Sequence, residues 1–294
     1  MPEGDTIAYA ANRIRPVLVG HVPDEIVART SPGGRGGSAG GRSCASTLTA
    51  STCSILVSGV SAMSLRRIGH KGADLIAPGN TYASFDAALE AGVDMIEFDV
   101  LQERSSDRLL LAHDYEDAAS RSPVTFEEGL AYLRDEQFEG IEFDVDLKLP
   151  GYEQPVLDAL RAFELLDRAL ISTQYASSLA AIRATEPRVR LGWTVPRLRR
   201  DPFRSAALRP VAHAVAEFAR RALPARAAAA IREGRCDALM AHWRLASGRL
   251  VEAVADAGGV LYVWTVDDLA TLRALEALGV TGVVTNDPRL FAQL

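Results

Sequence analysis

From residue 65 to the C-terminus, short apolar runs alternate with amphipathic helical stretches, and the alternation repeats eight times. This rhythm constrains the fold more than any other feature. A strand, a helix and a second strand in succession give a parallel sheet, and eight such units close into an α/β fold of the (β/α)8 TIM-barrel type. The expected strands are 66–70, 95–101, 140–147, 169–172, 190–194, 238–241, 259–263 and 282–284. Between them, residues 83–91, 125–134, 154–166, 177–185, 248–257 and 269–278 carry apolar side chains at helical spacing. The Arg- and Ala-rich stretch 201–234 reads as a longer helical insertion before the sixth strand. An open doubly wound sheet is the alternative. No G-x-G-x-x-G follows the first strand, which disfavours a dinucleotide-binding version of it.

The front of the chain lacks this rhythm. Residues 1–30 place Ile7, Ala10, Ala11, Ile14 and Val17 at helical spacing. Residues 31–64 are dominated by glycine, serine and threonine, with Arg35 and Arg42 as the only charges. Such a segment buries too little apolar surface to offset its ordering entropy, so it reads as a flexible linker. Three domains follow: a helical remnant (1–30), a linker (31–64) and a barrel (65–294), with the first two forming a disordered or loosely packed N-terminal extension. The opening MPEGDTIAYAANRIRPVLVG resembles the extreme N-terminus of the formamidopyrimidine/endonuclease VIII-like DNA glycosylases, over about residues 1–28. That resemblance implies Pro2 as an amine nucleophile and Glu3 as acid/base. It then stops, and nothing downstream resembles that family's DNA-binding helices or zinc finger.

Of the 294 residues 48% are hydrophobic and 24% charged, with a formal net charge of −6, so a generally basic nucleic-acid binder is disfavoured. Cys44, Cys53 and Cys236 form no C-x-x-C pair, which leaves no four-cysteine zinc site and no disulfide framework. No apolar run is long enough to span a membrane, and the N-terminus lacks a secretion signal. The expectation is a cytoplasmic protein without stable membrane insertion. Nothing in the composition sets an oligomeric state.

A barrel puts its chemistry at the C-terminal ends of its strands. The first expected strand ends in His70-Lys71-Gly72, the second carries Glu97-Phe98-Asp99, and the third carries Asp144-Val145-Asp146-Leu147-Lys148. A further apolar run, Leu109-Leu110-Leu111-Ala112, reads as an extra strand leading to His113. Side chains two apart on a strand share a face. Glu97 and Asp99 therefore project together, as do Asp144, Asp146 and Lys148. Carboxylates converging in this way repel one another unless a cation neutralises them, and oxygen-only ligands select a hard divalent ion. Histidines suit proton transfer near neutral pH, and lysines suit an anionic substrate such as a phosphate. Each motif alone has a plainer reading: a surface salt-bridged pair for Glu97 and Asp99, a turn for His70-Lys71-Gly72, and mutual pairing for Asp146 and Lys148. Their joint placement points to metal-assisted phosphoryl chemistry.

RIGHKGADLIAPGNTYASFDAALEAGVDMIEFDVLQ, followed by LLLAHD, strongly resembles the glycerophosphodiester phosphodiesterase family. Later pieces agree, including Trp264-Thr265-Val266 and Gly282 to Pro288, so the resemblance covers about residues 65–294. It implies a barrel hydrolase acting in lipid and glycerol metabolism. Such an enzyme cleaves small-molecule glycerophosphodiesters to an alcohol and glycerol 3-phosphate, with Mg²⁺ or Ca²⁺ and with Mn²⁺ as a third option. Carried over, His70 and His113 become the general acid–base pair, and Glu97, Asp99 and Asp146 the metal ligands. Lys71 and Lys148 become phosphate contacts. Asn80 orders the loop near His70 or touches the phosphate, and Trp264 forms an apolar wall beside the glycerol or leaving group. Lys71 stands where the family usually has Arg, Asp146 where it has Glu, and Gly79 where it has Glu. Asp144 is a reserve ligand one layer deeper. The rival readings are a lysophospholipase D-type enzyme of the same barrel class, with Phe203 and Phe218 on an interfacial surface, and a non-catalytic barrel binding protein.

Overall fold

The stretch MIEFDVLQ shows how the sheet is built: every residue but the last is buried. One face of a parallel barrel strand meets helices and the other meets the barrel axis, so neither reaches bulk water. Ile96, Phe98 and Val100 belong to the main core under the helices. There the Phe98 ring lies 5.8 Å from Phe85 and 6.3 Å from both Phe126 and Phe143. Met95 instead joins Ile68, Leu170, Met240, Tyr262 and Val284 in a separate cluster inside the barrel. The period of two then sets Glu97 and Asp99 on that inner face, above Met95.

The computed structural model describes residues 64–196 and 209–294. The helix and linker expected before them, and the glycosylase-like tip, lie outside the described residues. The elements run β1 (Arg66–Gly69), α1 (Tyr82–Glu90), β2 (Met95–Gln102), β3 (Leu109–Leu111), α2 (Tyr115–Ser120), α3 (Phe126–Leu133), β4 (Glu142–Leu147), α4 (Glu153–Ala162), β5 (Ala169–Thr173), α5 (Ala176–Thr185), β6 (Arg190–Val195), α6 (Arg209–Arg232), β7 (Ala238–His242), α7 (Gly248–Asp256), β8 (Val260–Trp264), α8 (Leu269–Leu278) and β9 (Gly282–Thr285). Eight parallel strands follow the order β1-β2-β4-β5-β6-β7-β8-β9, and β9 pairs with β1 to close the ring. The (β/α)8 barrel is therefore the fold, with all eight expected strands in place. β3 is the extra strand. It pairs antiparallel with the upper half of β2, Val100 opposite Leu111, and carries the chain to His113 at the barrel mouth.

Boundaries moved where local chemistry intervened. The third barrel strand begins at Glu142 rather than residue 140, because Gly140 closes a turn with φ +82°. The helix expected over 154–166 stops at Ala162, since Glu164 adopts a left-handed φ of 60° and the chain passes into a short 3₁₀ turn at Leu166–Arg168. The short α2 lacks an apolar period and was not expected. It is held by Asp114, whose carboxylate accepts from the Glu116 and Asp117 N–H groups. The helical insertion is present as α6 over its described part.

The N-terminal end of the barrel is closed by charge. The Glu142 carboxylate oxygen Oε2 lies 2.5 Å from Arg66 and 2.8 Å from Arg190, on three strands whose inner faces converge there. Chemistry is left to the opposite mouth. Among the described residues no helix is long and apolar enough to cross a membrane.

Candidate active site

β2 and β4 are hydrogen-bonded neighbours with Glu97 opposite Asp144 and Asp99 opposite Asp146. That register gathers carboxylates which the sequence places on separate strands. One oxygen each from Glu97, Asp99 and Asp146 falls within 4.8 Å of the others. Glu97 is 5% exposed and Asp99 0%, which rules out the surface-pair reading of Glu-x-Asp. Asp144 is buried one layer deeper, outside this trio, and its Oδ1 has no hydrogen-bond partner. Ser172, opposite Asp146 on β5, donates its hydroxyl to Asp146 Oδ1 at 3.5 Å.

The first βα loop wraps the same cluster. The Lys71 N–H donates to Glu97 Oε2 at 2.7 Å, and Lys71 itself holds a left-handed φ of 49°. Next, the Gly72 N–H donates to the Glu97 carbonyl at 3.1 Å with φ +85°. A Cβ on Gly72 would sit 2.5 Å from the Ser84 carbonyl oxygen, so only glycine fits this close approach. Asn80 ties the loop's far end down. Its Nδ2 donates to Asp99 Oδ2 at 2.9 Å, its Oδ1 accepts from the Asp99 N–H at 3.0 Å, and its own N–H donates to the Lys71 carbonyl. Asn80 is 1% exposed, and both polar ends of its side chain serve Asp99.

Two lysines face the acids. Lys148 Nζ donates to Asp146 Oδ2 at 2.6 Å and also contacts Asp99 Oδ1, so the mutual pairing of Asp146 and Lys148 exists, but as part of a larger network. Lys71 Nζ lies 3.6 Å from Asp74. Five buried or half-buried carboxylates, Glu97, Asp99, Asp144, Asp146 and Asp74, thus meet two ammonium groups, so acidic groups outnumber basic ones by three. Burial, then repulsion from Asp99, pushes the Glu97 carboxyl well above its usual range. Burial and Asp146 push Asp144 up to about 8. Burial also works against ionised Asp99, but the Lys148 ammonium, with His113 and Lys71, outweighs it and holds that carboxyl below the usual range. An all-oxygen set whose charge the two lysines do not balance fits a hard divalent cation, which would carry the compensating charge.

His70 stands just past β1. Its Nδ1 lies 2.6 Å from Asn286 Oδ1, an acceptor, so Nδ1 carries the proton. Asn286 is in turn fixed by Asp267, which accepts from its side-chain and backbone N–H groups at 2.8 Å. In the neutral ring Nε2 is left as the basic nitrogen, 3.8 Å from Glu97 Oε2. Burial and the Lys71 charge lower His70 to about 4. His113 arrives from the β3 hairpin. Its N–H donates to Asp117 Oδ2 at 3.0 Å, Asp117 is clamped by Arg121, and its Nδ1 lies 3.2 Å from Asp114 Oδ2. It is the more exposed of the two histidines, at the rim, with its charge felt at Asp99.

Across the mouth, β7 and β8 carry a different surface. Trp264 packs beside the inner apolar cluster and donates its Nε1–H to the Met240 carbonyl at 3.0 Å. Of the expected residues, Glu97, Asp99, Asp146, Lys148, Lys71, Asn80 and His70 form one contacting group, with His113 at its edge and Trp264 on the facing wall. Asn286, Asp267, Ser172 and His242 also line or order this mouth and were not singled out from sequence. Asn286 had a signal, since it lies in the Gly282–Pro288 motif, but its partner stands 216 residues away.

The Glycerophosphoryl diester phosphodiesterase family model matches residues 70–120 and 153–290. The unmatched interval contains Asp146 and Lys148, so strand register places those two in the site independently of the match. A glycerophosphodiester phosphodiesterase from Caldanaerobacter subterraneus is 24% identical over 259 residues, covering 77% of this chain and 96% of that relative. Among solved structures, a glycerophosphodiester phosphodiesterase from Agrobacterium tumefaciens superposes with a TM-score of 0.56 at 18% identity, over 78% of this chain and 100% of that one. A phosphodiesterase from Oleispira antarctica, solved with its product sn-glycerol-3-phosphate, gives 0.55 at 19% identity, over 77% and 94%. The structures speak to the fold alone, whereas the family match spans most of the barrel and takes in His70, Lys71, Asn80, Glu97, Asp99, His113 and Trp264. The chain belongs to the glycerophosphoryl diester phosphodiesterase family and is a phosphodiester hydrolase.

Proposed function

We propose that the protein hydrolyses glycerophosphodiesters to an alcohol and glycerol 3-phosphate with the aid of a divalent cation. The observation that carries this reading is the convergence of Glu97, Asp99 and Asp146 within 4.8 Å beside a histidine whose basic nitrogen is set by Asn286. Glu97, Asp99 and Asp146 would hold Mg²⁺, Ca²⁺ or Mn²⁺, which supplies charge neutralisation at the phosphate. Lys71 and Lys148 attract the phosphate oxygens and steady the charge that grows on them. His70, neutral and oriented, takes a proton from the nucleophile, either water or the substrate's own glycerol 2-hydroxyl. His113 protonates the leaving alkoxide. Asn80 acts by holding Asp99 and the Lys71 loop in place rather than by touching phosphate, because both ends of its amide are already engaged.

The test is product release from glycerophosphocholine, glycerophosphoethanolamine and glycerophosphoglycerol with each cation, beside lysophosphatidylcholine. Glycerol 3-phosphate should appear from the first three. Its absence from all of them with every cation would sink the reading, and choline release from lysophosphatidylcholine alone would move the protein to the lysophospholipase D class. His70→Ala and His113→Ala should each lower kcat by about 10²–10⁴-fold. Near-normal turnover in either variant would remove that histidine from the chemistry.

A further inference from the structure

His242 is a titratable side chain at the barrel mouth that the proposed chemistry does not use. It ends β7, opposite Trp264 on β8. Ala238 and Met240, four and two residues earlier, lie in the inner cluster, so the alternation of β7 turns His242 toward the mouth as well. β7 and β8 stand across the ring from β2 and β4. The wall they form therefore lies across the mouth from the carboxylates.

The ring is held from several directions. It meets Trp264 edge-on at 5.3 Å and stacks on Trp243 at 5.8 Å. Its Nδ1 accepts from the Arg244 N–H at 3.2 Å. With Nδ1 an acceptor, the neutral ring carries its proton on Nε2 and is a donor there. Burial, with help from Arg244, lowers His242 to about 4, so the ring is neutral through the physiological range. Arg244 also lies over Trp243, 4.9 Å from the ring centre, so a cation already occupies that aromatic face.

We propose that His242 is a specificity-determining residue that donates its Nε2–H to a hydroxyl of the substrate's polyol while Trp264 covers the carbon chain. This rests on the hydrolase reading above. An indole beside a fixed N–H donor suits a hydroxylated three-carbon chain, which offers C–H groups to the ring and an oxygen to the donor. The polyol is the glycerol moiety, or a hydroxylated leaving alcohol in its place, and the substrates below separate the two.

Steady-state kinetics on His242→Phe and His242→Gln test the assignment. Phe keeps the flat ring and removes the donor; Gln restores an N–H. The substrates are glycerophosphocholine, whose hydroxyls all lie on glycerol, glycerophosphoglycerol, and bis(p-nitrophenyl) phosphate, which has none. For His242→Phe, KM for glycerophosphocholine should rise about three- to tenfold with kcat within twofold, the size expected for one neutral hydrogen bond. KM for bis(p-nitrophenyl) phosphate should stay unchanged, and Gln should recover most of the loss. A rise confined to glycerophosphoglycerol would support the donor but place the leaving alcohol against it. Unchanged KM for both glycerol substrates, or equal losses on all three, would overturn the proposal. Wild-type inactivity toward every glycerol substrate would instead remove the hydrolase reading on which it rests.

Discussion

Asp99 shows what a single residue is asked to do. It is fully buried, touches Lys148, accepts from the Asn80 Nδ2 group, donates its own N–H to Asn80 Oδ1, and stays ionised because the surrounding cations outweigh its desolvation. The residue types needed for this were legible in the sequence, because Glu-x-Asp and Asp-x-Asp-x-Lys each fix a face by the period of two. Their mutual distances were not, since only the register of β2 against β4 sets Asp99 beside Asp146. His242 and Asn286 escaped for a related reason: neither belongs to a charged pattern, and each gains meaning from a partner on another strand. His242 also makes a stability claim. Its pKa of about 4 lies below the unfolded value of 6.5, so between these the unfolded chain takes up a proton that the folded chain refuses. Stability should be complete above pH 6.5 and fall as pH drops toward 4, by up to about 3 kcal/mol from this group. Urea midpoints at pH 7.5 and 5 should therefore converge in His242→Gln relative to the wild type. An identical acid loss in both proteins would show that His242 is not its source.

Among the elements, β1 and its loop carry the tightest fit. The chain leaves the strand at Gly69, turns through left-handed Lys71 and Gly72, and returns under Asn80 to the capping box of Thr81 and Ser84 that starts α1. The loop thereby sets His70, Lys71 and Asn80 at once. Gly72→Ala forces a Cβ against the Ser84 carbonyl, beside α1's first turn. The substitution should cost about 1–3 kcal/mol of stability and reduce activity together, read by thermal unfolding and by turnover. Wild-type values for both would mean the loop adapts freely. At this scale the sequence was informative about existence and type. It missed the antiparallel sense of β3, because a three-residue apolar run has the same pattern in either direction, and α2, which rests on one capping carboxylate rather than on an apolar face.

For the whole molecule, the eightfold alternation was enough to give the closed barrel, since each parallel strand buries both faces and leaves an unbroken apolar trace. Charge divides the two ends. A Glu142–Arg66–Arg190 plug seals one, and an acid-rich mouth opens at the other. All the site residues and all the barrel strands fall after residue 64. A chain starting at Met63 should therefore unfold at the same temperature and turn over glycerophosphodiesters within twofold of the full-length protein; a large loss would give the first 62 residues a part in the barrel. The central claim is that three carboxylates gather a divalent cation for phosphodiester hydrolysis. It is tested most directly by stripping the protein with chelator and titrating Mg²⁺, Ca²⁺ or Mn²⁺ back while following glycerol 3-phosphate release, in the wild type and in Asp146→Asn. The expected result is loss of activity on chelation, saturable recovery with at least one of these cations, and recovery weakened about tenfold or more in the variant. Full activity in the stripped wild-type protein, or recovery identical in both, would contradict it.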